Sequence, residues 1–385
     1  MSVENLVEDA INAQNTPEEF SKIVLNYIKA NDSVNYYNAF KHFKKNSKRF
    51  SDAIKAIRDS ANVLKDMKDI ANALKFFEAI DEFLADYPSF FEELKEVIEI
   101  YEKICRAGNK LSQFAKLLEK KPVDETKMKP SEILDLYLTI ANLHLQSKGI
   151  SKAQQYFAKA KPYYFPNSTP LENQRVYNNT HTNLMIETKN FLAASQQLLS
   201  TYLDKKLSQG QDKQKLLLRA IIFAGVCPPG PSRDEQFQQI MKIEEAQKIP
   251  EYKLILRLNN RQIISDTEIE EFWNIIKEEE SVSKQYFQAN IKKHNMTQIS
   301  YIYKSVSIER IAKMIGSTQA EVLNNLNSMI SSHEIKAKID QPNNKVVYHN
   351  DDVYNIDDQI LEFCDKVLRL ADSIQEAKWS NVINN

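Results

Sequence analysis

Ser307–His349 reads SIERIAKMIGSTQAEVLNNLNSMISSHEIKAKIDQPNNKVVYH, and its grammar decides the fold. Ser307 is a helix cap, after which Ile308, Ile311, Ala312 and Ile315 recur on one face until Gly316 stops the helix. Thr318 and Glu321 make a capping box that opens a second helix, with Val322, Leu326, Met329 and Ile330 facing inward. Ile335, Ala337 and Ile339 then alternate with Lys336 and Lys338, the period of a half-buried strand. Gln341-Pro-Asn-Asn344 is a turn, and Lys345–His349 returns as a second strand. A further helix over 282–303 precedes this stretch. The order helix, helix, helix, strand, turn, strand predicts a winged helix-turn-helix.

Toward the C-terminus, residues 355–378 read as one long helix. Ile360, Cys364, Val367, Ala371 and Ile374 step by four, three, four and three, the seam of a helix that packs on other helices. Phe363, Leu368 and Leu370 add apolar surface off that seam, more than one buried stripe requires. The small sheet ends in an edge strand whose backbone groups can pair with another chain. The residues expected to bind partners are therefore Ile335, Ala337 and Ile339 on the strand, with Ile360, Phe363, Cys364, Val367, Leu368, Ala371 and Ile374 on the terminal helix.

Toward the N-terminus the sequence is punctuated helix. The 385 residues include only six glycines, whereas average usage of about 7% would give roughly four times as many. Gly-rich phosphate loops and tight hairpins are thereby disfavoured. Pro122 and Pro130 flank one loop; Pro162, Pro166 and Pro170 mark a second; Pro228–Pro231 a third; Pro250 a fourth. Asn142-Leu-His-Leu-Gln-Ser-Lys-Gly149-Ile-Ser-Lys-Ala153 aligns with Asn183-Leu-Met-Ile-Glu-Thr-Lys-Asn190-Phe-Leu-Ala-Ala194 at an offset of 41 residues. Gly149 and Asn190 stand at equivalent places and are expected to form left-handed helix stops. A helix–stop–helix unit repeated at this period predicts a solenoid. Residues 1–125 read as helical too, with Leu94, Ile98, Tyr101 and Cys105 on one face, but their helices merge and resist counting.

Composition narrows the function. Apolar residues make up 42% and charged residues 27%, and 51 basic against 52 acidic side chains leave a formal net charge of −1, so no global pull toward nucleic acid or anionic membranes is expected. No apolar run approaches a membrane span, the N-terminus lacks a secretory core, and a cytosolic or nuclear chain is expected. Cys105, Cys227 and Cys364 lie far apart and read as structural thiols. The six histidines form no H-x-H or H-E-x-x-H motif, so no metal, cofactor or catalytic residue is assigned. The helix over 318–333 holds the base-reading position of a winged helix yet contains no Lys or Arg, which argues against DNA.

A mainly α chain in which a TPR-like right-handed solenoid runs into a winged helix and a terminal helix resembles the PCI family. That module is shared by the proteasome lid, the COP-nine signalosome and translation initiation factor three. The carrying residues are Ile291-Lys-Lys-His294-Asn295-Met296, Ser300, Tyr303, Ile308, Ile311 and Ala312, then Ile339-Asp340-Gln341, Val346 and Val347. Gln174–Ser200 and the terminal helix through Ile360, Cys364, Val367 and Leu368 add to it. Within the family the signalosome subunits are the nearer likeness, with a proteasome-lid subunit as alternative and a winged-helix nucleic-acid regulator as an alternative of another class. Departures are Cys227-Pro-Pro-Gly-Pro231, richer in proline than the family, and Asn343-Asn344 where a wing glycine is usual. The resemblance implies a helical-repeat solenoid over 1–170, a PCI domain over 171–350 (helical part 171–280, winged helix 281–350) and an association helix over 351–385. It also implies a non-enzymatic scaffold joined to other PCI and MPN subunits. The MPN metalloprotease would remove the ubiquitin-like modifier from cullin-RING ligases.

Overall fold

A computed structural model describes residues 2–349. The helix expected over 355–378, with Ile360, Phe363, Cys364, Val367, Leu368, Ala371 and Ile374, lies outside the described residues. Among the described residues there are eighteen α-helices and one three-stranded sheet, so the fold is mainly α. The described residues divide into two compact units: 2–190 with Leu203–Gln211, and Phe191–Tyr202 with 212–349.

The first unit holds α1 (Val3–Asn12), α2 (Thr16–Lys29), α3 (Ser33–Asn46), α4 (Ala53–Leu64), α5 (Ile70–Asp86), α6 (Lys95–Ala107), α7 (Leu111–Glu119), α8 (Pro130–Gln146), α9 (Ile150–Ala160) and α10 (Leu171–Glu187). Contacts run between near neighbours: α1 packs on α2 and α3, α2 on α4, α3 on α5, α4 on α6, α5 on α6 and α7, α7 on α8, and α8 on α9 and α10. That is the contact pattern of stacked helical repeats, each of which buries its apolar face against the next. Seven helices fill the N-terminal stretch that the sequence leaves uncounted. Two of their starts share a motif. Asp32 and Asp69 each accept the backbone N–H three residues on, from Asn35 at 3.0 Å and Asn72 at 3.1 Å. The same asparagines donate their side-chain amides back, at 2.6 and 2.8 Å. Aromatic rings fill the space between: Phe20 meets Phe40 and Phe43 at centroid distances of 5.2 and 4.2 Å, and Tyr36 meets Phe76 at 5.1 Å. Each such buried ring contributes roughly 1.5–3 kcal/mol.

The 41-residue repeat is present in the helix boundaries. α8 and α9 start at Pro130 and Ile150; α10 and α11 (Phe191–Leu203) start at Leu171 and Phe191. Its stop differs from expectation. The left-handed residues are Lys148 and Lys189, each at φ 60°, one place before Gly149 and Asn190. The N–H of Gly149 donates to His144 O at 2.7 Å and that of Asn190 to Met185 O at 2.8 Å, the wide bond of a Schellman stop. Gly149 instead opens α9, where a Cβ would meet His144 at an ordinary contact distance of 3.4 Å. The same stop recurs at Asn31 and Asn109.

The second unit contains α11, then α12 (Lys213–Val226), α13 (Pro231–Met241), α14 (Tyr252–Asn259), α15 (Asp266–Ile276), α16 (Lys284–Ile302), β1 (Ser305–Ser307), α17 (Ile308–Met314), α18 (Gln319–Ser331), β2 (Ala337–Asp340) and β3 (Lys345–Tyr348). α16 is its spine, and it is polar inside. Asn290, His294, Asn295, Gln298 and Ser300 are all buried on it. Asn290 donates to Val226 O at 2.9 Å, where α12 ends. Asn295 accepts the N–H of Ile264 at 2.9 Å and donates to its carbonyl at 2.7 Å, pairing with that loop as a strand would. His294 Nε2 faces the carbonyl of Gln262 at 3.1 Å. A carbonyl only accepts, so Nε2 carries the proton and Nδ1 is left to accept from the Arg233 guanidinium at 3.3 Å. Burial, with Arg233 beside it, pulls the pKa of His294 down to about 4. These bonds satisfy the loops on either side of α13 and α14, which have no ladder of their own.

Candidate association surface

The C-terminal module of the second unit is the winged helix read from Ser307–His349, and its local signals act as the sequence implies. Ser307 accepts the N–H of Arg310 at 3.3 Å, and Thr318 accepts that of Glu321 at 3.3 Å while Glu321 takes the Thr318 N–H at 3.1 Å. Gly316 sits at φ 59°, and a Cβ there would fall 1.8 Å from Asp266 Oδ2. Val306, Ile308, Ile311, Ile315, Val322, Leu326, Met329, Val346 and Tyr348 close one core under the sheet. In the wing turn Asn344 takes φ 50°, so asparagine fills the place of a glycine. Asp340 pins the turn by accepting from the Asn343 backbone at 3.3 Å and side chain at 2.7 Å.

One strand escapes the sequence reading. β1, three residues long, pairs antiparallel with β3, so the sheet order is β1-β3-β2 and not a bare hairpin. Ser305-Val-Ser307 is too short to show a period of two, and its length is the reason it is not visible.

The sheet has two outer edges among the described residues, on β1 and β2. His349 donates to Lys336 O at 2.9 Å, which fixes the alternation along β2. Lys338 and Asp340 bond inward to β3, and the N–H and C=O groups of Ala337 and Ile339 point outward. Of the strand residues expected to bind partners, the side chains go elsewhere: Ile335 and Ala337 are buried in the module's core, and Ile339 packs against it. What this edge offers another chain is backbone. The exposed side of α18 carries Gln319, Glu321, Asn324, Asn327, Ser328 and Ser331. No cation stands on it to meet a phosphate.

An apolar step that the sequence reading missed lies beside the sheet. Tyr301 and Ile302, in the last turn of α16, are 48% and 62% exposed. They fall just before a strand, where helical periodicity ends, and no pattern separates them from core residues. Among the described residues no group of three or more His, Cys, Asp and Glu side chains is placed to hold a metal, and no helix is long and apolar enough to cross a membrane.

Comparison with known proteins agrees with this geometry. The family model described as PCI domain matches residues 256–350, the stretch from α14 through the wing, and the chain thus carries a PCI domain. The chain is similar to COP9 signalosome complex subunit 4 of Caenorhabditis elegans, 24% identical over 243 residues, which cover 62% of this chain and 59% of that protein. It is similar to the protein of the same name in Drosophila melanogaster, 21% identical over 258 residues, 65% of this chain and 63% of that one. It also matches 26S proteasome non-ATPase regulatory subunit 12 homolog B of Arabidopsis thaliana, 22% identical over 139 residues, 33% of this chain and 31% of that protein. The chain thus spans about three fifths of the length of the two signalosome subunits.

Proposed function

We propose that this chain is a non-catalytic scaffold subunit of a signalosome-type complex. In this reading its PCI domain and terminal helix hold it among other PCI and MPN subunits. A partner MPN metalloprotease then removes the ubiquitin-like modifier from cullin-RING ligases, in cytoplasm and nucleus. The observation that carries the reading is a winged helix whose groove-facing helix has no cation while its sheet leaves a backbone edge open. A DNA reader needs cations on that helix, and an assembly module can use the open edge. The likeness to two signalosome subunits supports the choice of complex.

The likeness to a proteasome regulatory subunit favours a second reading of the same kind, a PCI scaffold of the proteasome lid. Mass spectrometry of the native assembly purified through this chain separates the two. Signalosome subunits with an MPN metalloprotease are the expected companions. Proteasome ATPases and lid subunits in their place would overturn the choice of complex. Duplex DNA binding with a steep salt dependence, and no co-purifying subunits, would overturn the scaffold reading altogether.

A further inference from the structure

The second unit contains a cleft of about 600 Å³ that the assembly reading leaves unused. It lies where the loop before α13 meets the ends of α14, α16 and α18. A volume of that size is typical of a small-molecule site.

Three observations give the cleft one electrostatic character. Its floor includes Arg233, 3% exposed. The guanidinium donates to neutral acceptors, Cys227 O at 3.4 Å and His294 Nδ1 at 3.3 Å, and its Nε has no partner. Because His294 is held as the neutral Nε2–H tautomer, it cannot offset the charge. The one carboxylate in reach is Asp234 at 3.6 Å, and its side chain is 52% exposed. The Phe237 ring lies 5.1 Å from the guanidinium, and a buried cation whose one anionic partner is a loose, wet carboxylate is costly unless something else neutralises it.

The second observation is the start of α13. Gly230 and Pro231 line the cleft, α13 runs eleven residues from there, and no side chain caps it. Pro231 has no N–H and those of Arg233 and Asp234 bond to Gly230 O at 3.1 Å, so this start offers the cleft the Ser232 N–H and the positive end of the helix dipole. The third is Arg261, an exposed residue on the rim. Its guanidinium lies 5.2 Å over the Tyr301 ring, and no carboxylate pairs with it among the described residues. The other acid of the lining, Glu334, is already engaged by Lys293 at 3.5 Å and by the Ser332 hydroxyl at 3.0 Å. Thr297 and Gln298 add polar groups to the wall.

We propose that this cleft binds a phosphate group, seated between the start of α13, Arg233 and Arg261, and carried by a small molecule that fills the remaining volume. Free inorganic phosphate presents the same chemistry and occupies the same seat. Asp234 competes for Arg233 and is the group a bound phosphate displaces.

Calorimetric titration of the full chain at constant ionic strength, in chloride buffer, tests this with inorganic phosphate and with adenosine monophosphate as probes. Saturable binding of both is expected, tighter for the nucleotide if the ligand is a phosphorylated molecule and equal for the two if the seat serves the free ion. Arg261→Gln is expected to weaken binding at least five-fold. Asp234→Asn, which removes the competing anion, is expected to tighten it several-fold. Opposite shifts from two exposed positions cannot come from misfolding. No saturable heat with either probe, or affinities that neither variant moves, would overturn the proposal.

Discussion

At the scale of single residues, left-handed backbone positions decide where helices end, and they are filled unequally. Gly316 has no alternative, since φ 59° strains any side chain and Asp266 occupies the space of a Cβ. Gly316→Ala is expected to destabilise the protein by roughly 1–3 kcal/mol in urea titration. Lys148 is an exposed lysine at φ 60°. Lys148→Gly relieves that strain at the cost of a looser unfolded chain, and a gain of about 0.5 kcal/mol is expected. A loss in the second variant would show that the lysine side chain, and not the backbone, sets that stop. The stops at Lys148 and Lys189 were not legible because lysine has no left-handed preference, while Gly149 and Asn190 do. Those two residues mark the right loop and the wrong position within it.

His294 adds a titration at the same scale. Its folded pKa, about 4, lies below the 6.5 of a free imidazole, so the unfolded chain binds the proton more readily. The stability it contributes is complete above about pH 6.5 and is lost as pH falls toward 4, at up to about 1.4 kcal/mol per pH unit. Urea midpoints across that range should fall more steeply in the wild type than in His294→Gln. Equal slopes would mean that His294 is not the group that charges on acidification. The buried bonding of His294 and Asn295 was not derivable from spacing. Polar residues on a helix read as a solvated face, and their partners at 262 and 264 lie some thirty residues away in sequence.

At the scale of elements, β2 separates two proline variants. Lys338 bonds inward to β3, so Lys338→Pro deletes a ladder bond and should unfold the wing. The Ile339 N–H points outward, so Ile339→Pro should leave circular dichroism near wild type while abolishing strand pairing with a partner. Undiminished co-purification of partner subunits with Ile339→Pro would remove the β2 edge from the assembly surface. The winged helix was legible because every boundary has a local device: Ser307, Gly316, the Thr318–Glu321 box and an Asn-Asn turn. β1 was not, because three residues cannot display a period. The helix starts at Asp32 and Asp69 went unread because their partner three residues on is asparagine and not glutamate.

At the scale of the whole molecule, the core of the C-terminal module is built, among the described residues, from residues between Met296 and Tyr348 with Ile263 packed against it. Under the proposed assembly role, deleting 351–385 is expected to leave the thermal midpoint within a few degrees of wild type while releasing the chain from its complex. Co-elution with an MPN partner after that deletion would refute the assembly role given to Ile360, Phe363, Cys364, Val367, Leu368, Ala371 and Ile374.

In the first unit, helices touch partners one or two places along the chain and hardly beyond. Such contacts close short loops, so they form early and cost little chain entropy. Synthesis on the ribosome delivers the helices in the order in which they stack. The N-terminal array can therefore consolidate, turn upon turn, while the PCI domain is still being translated.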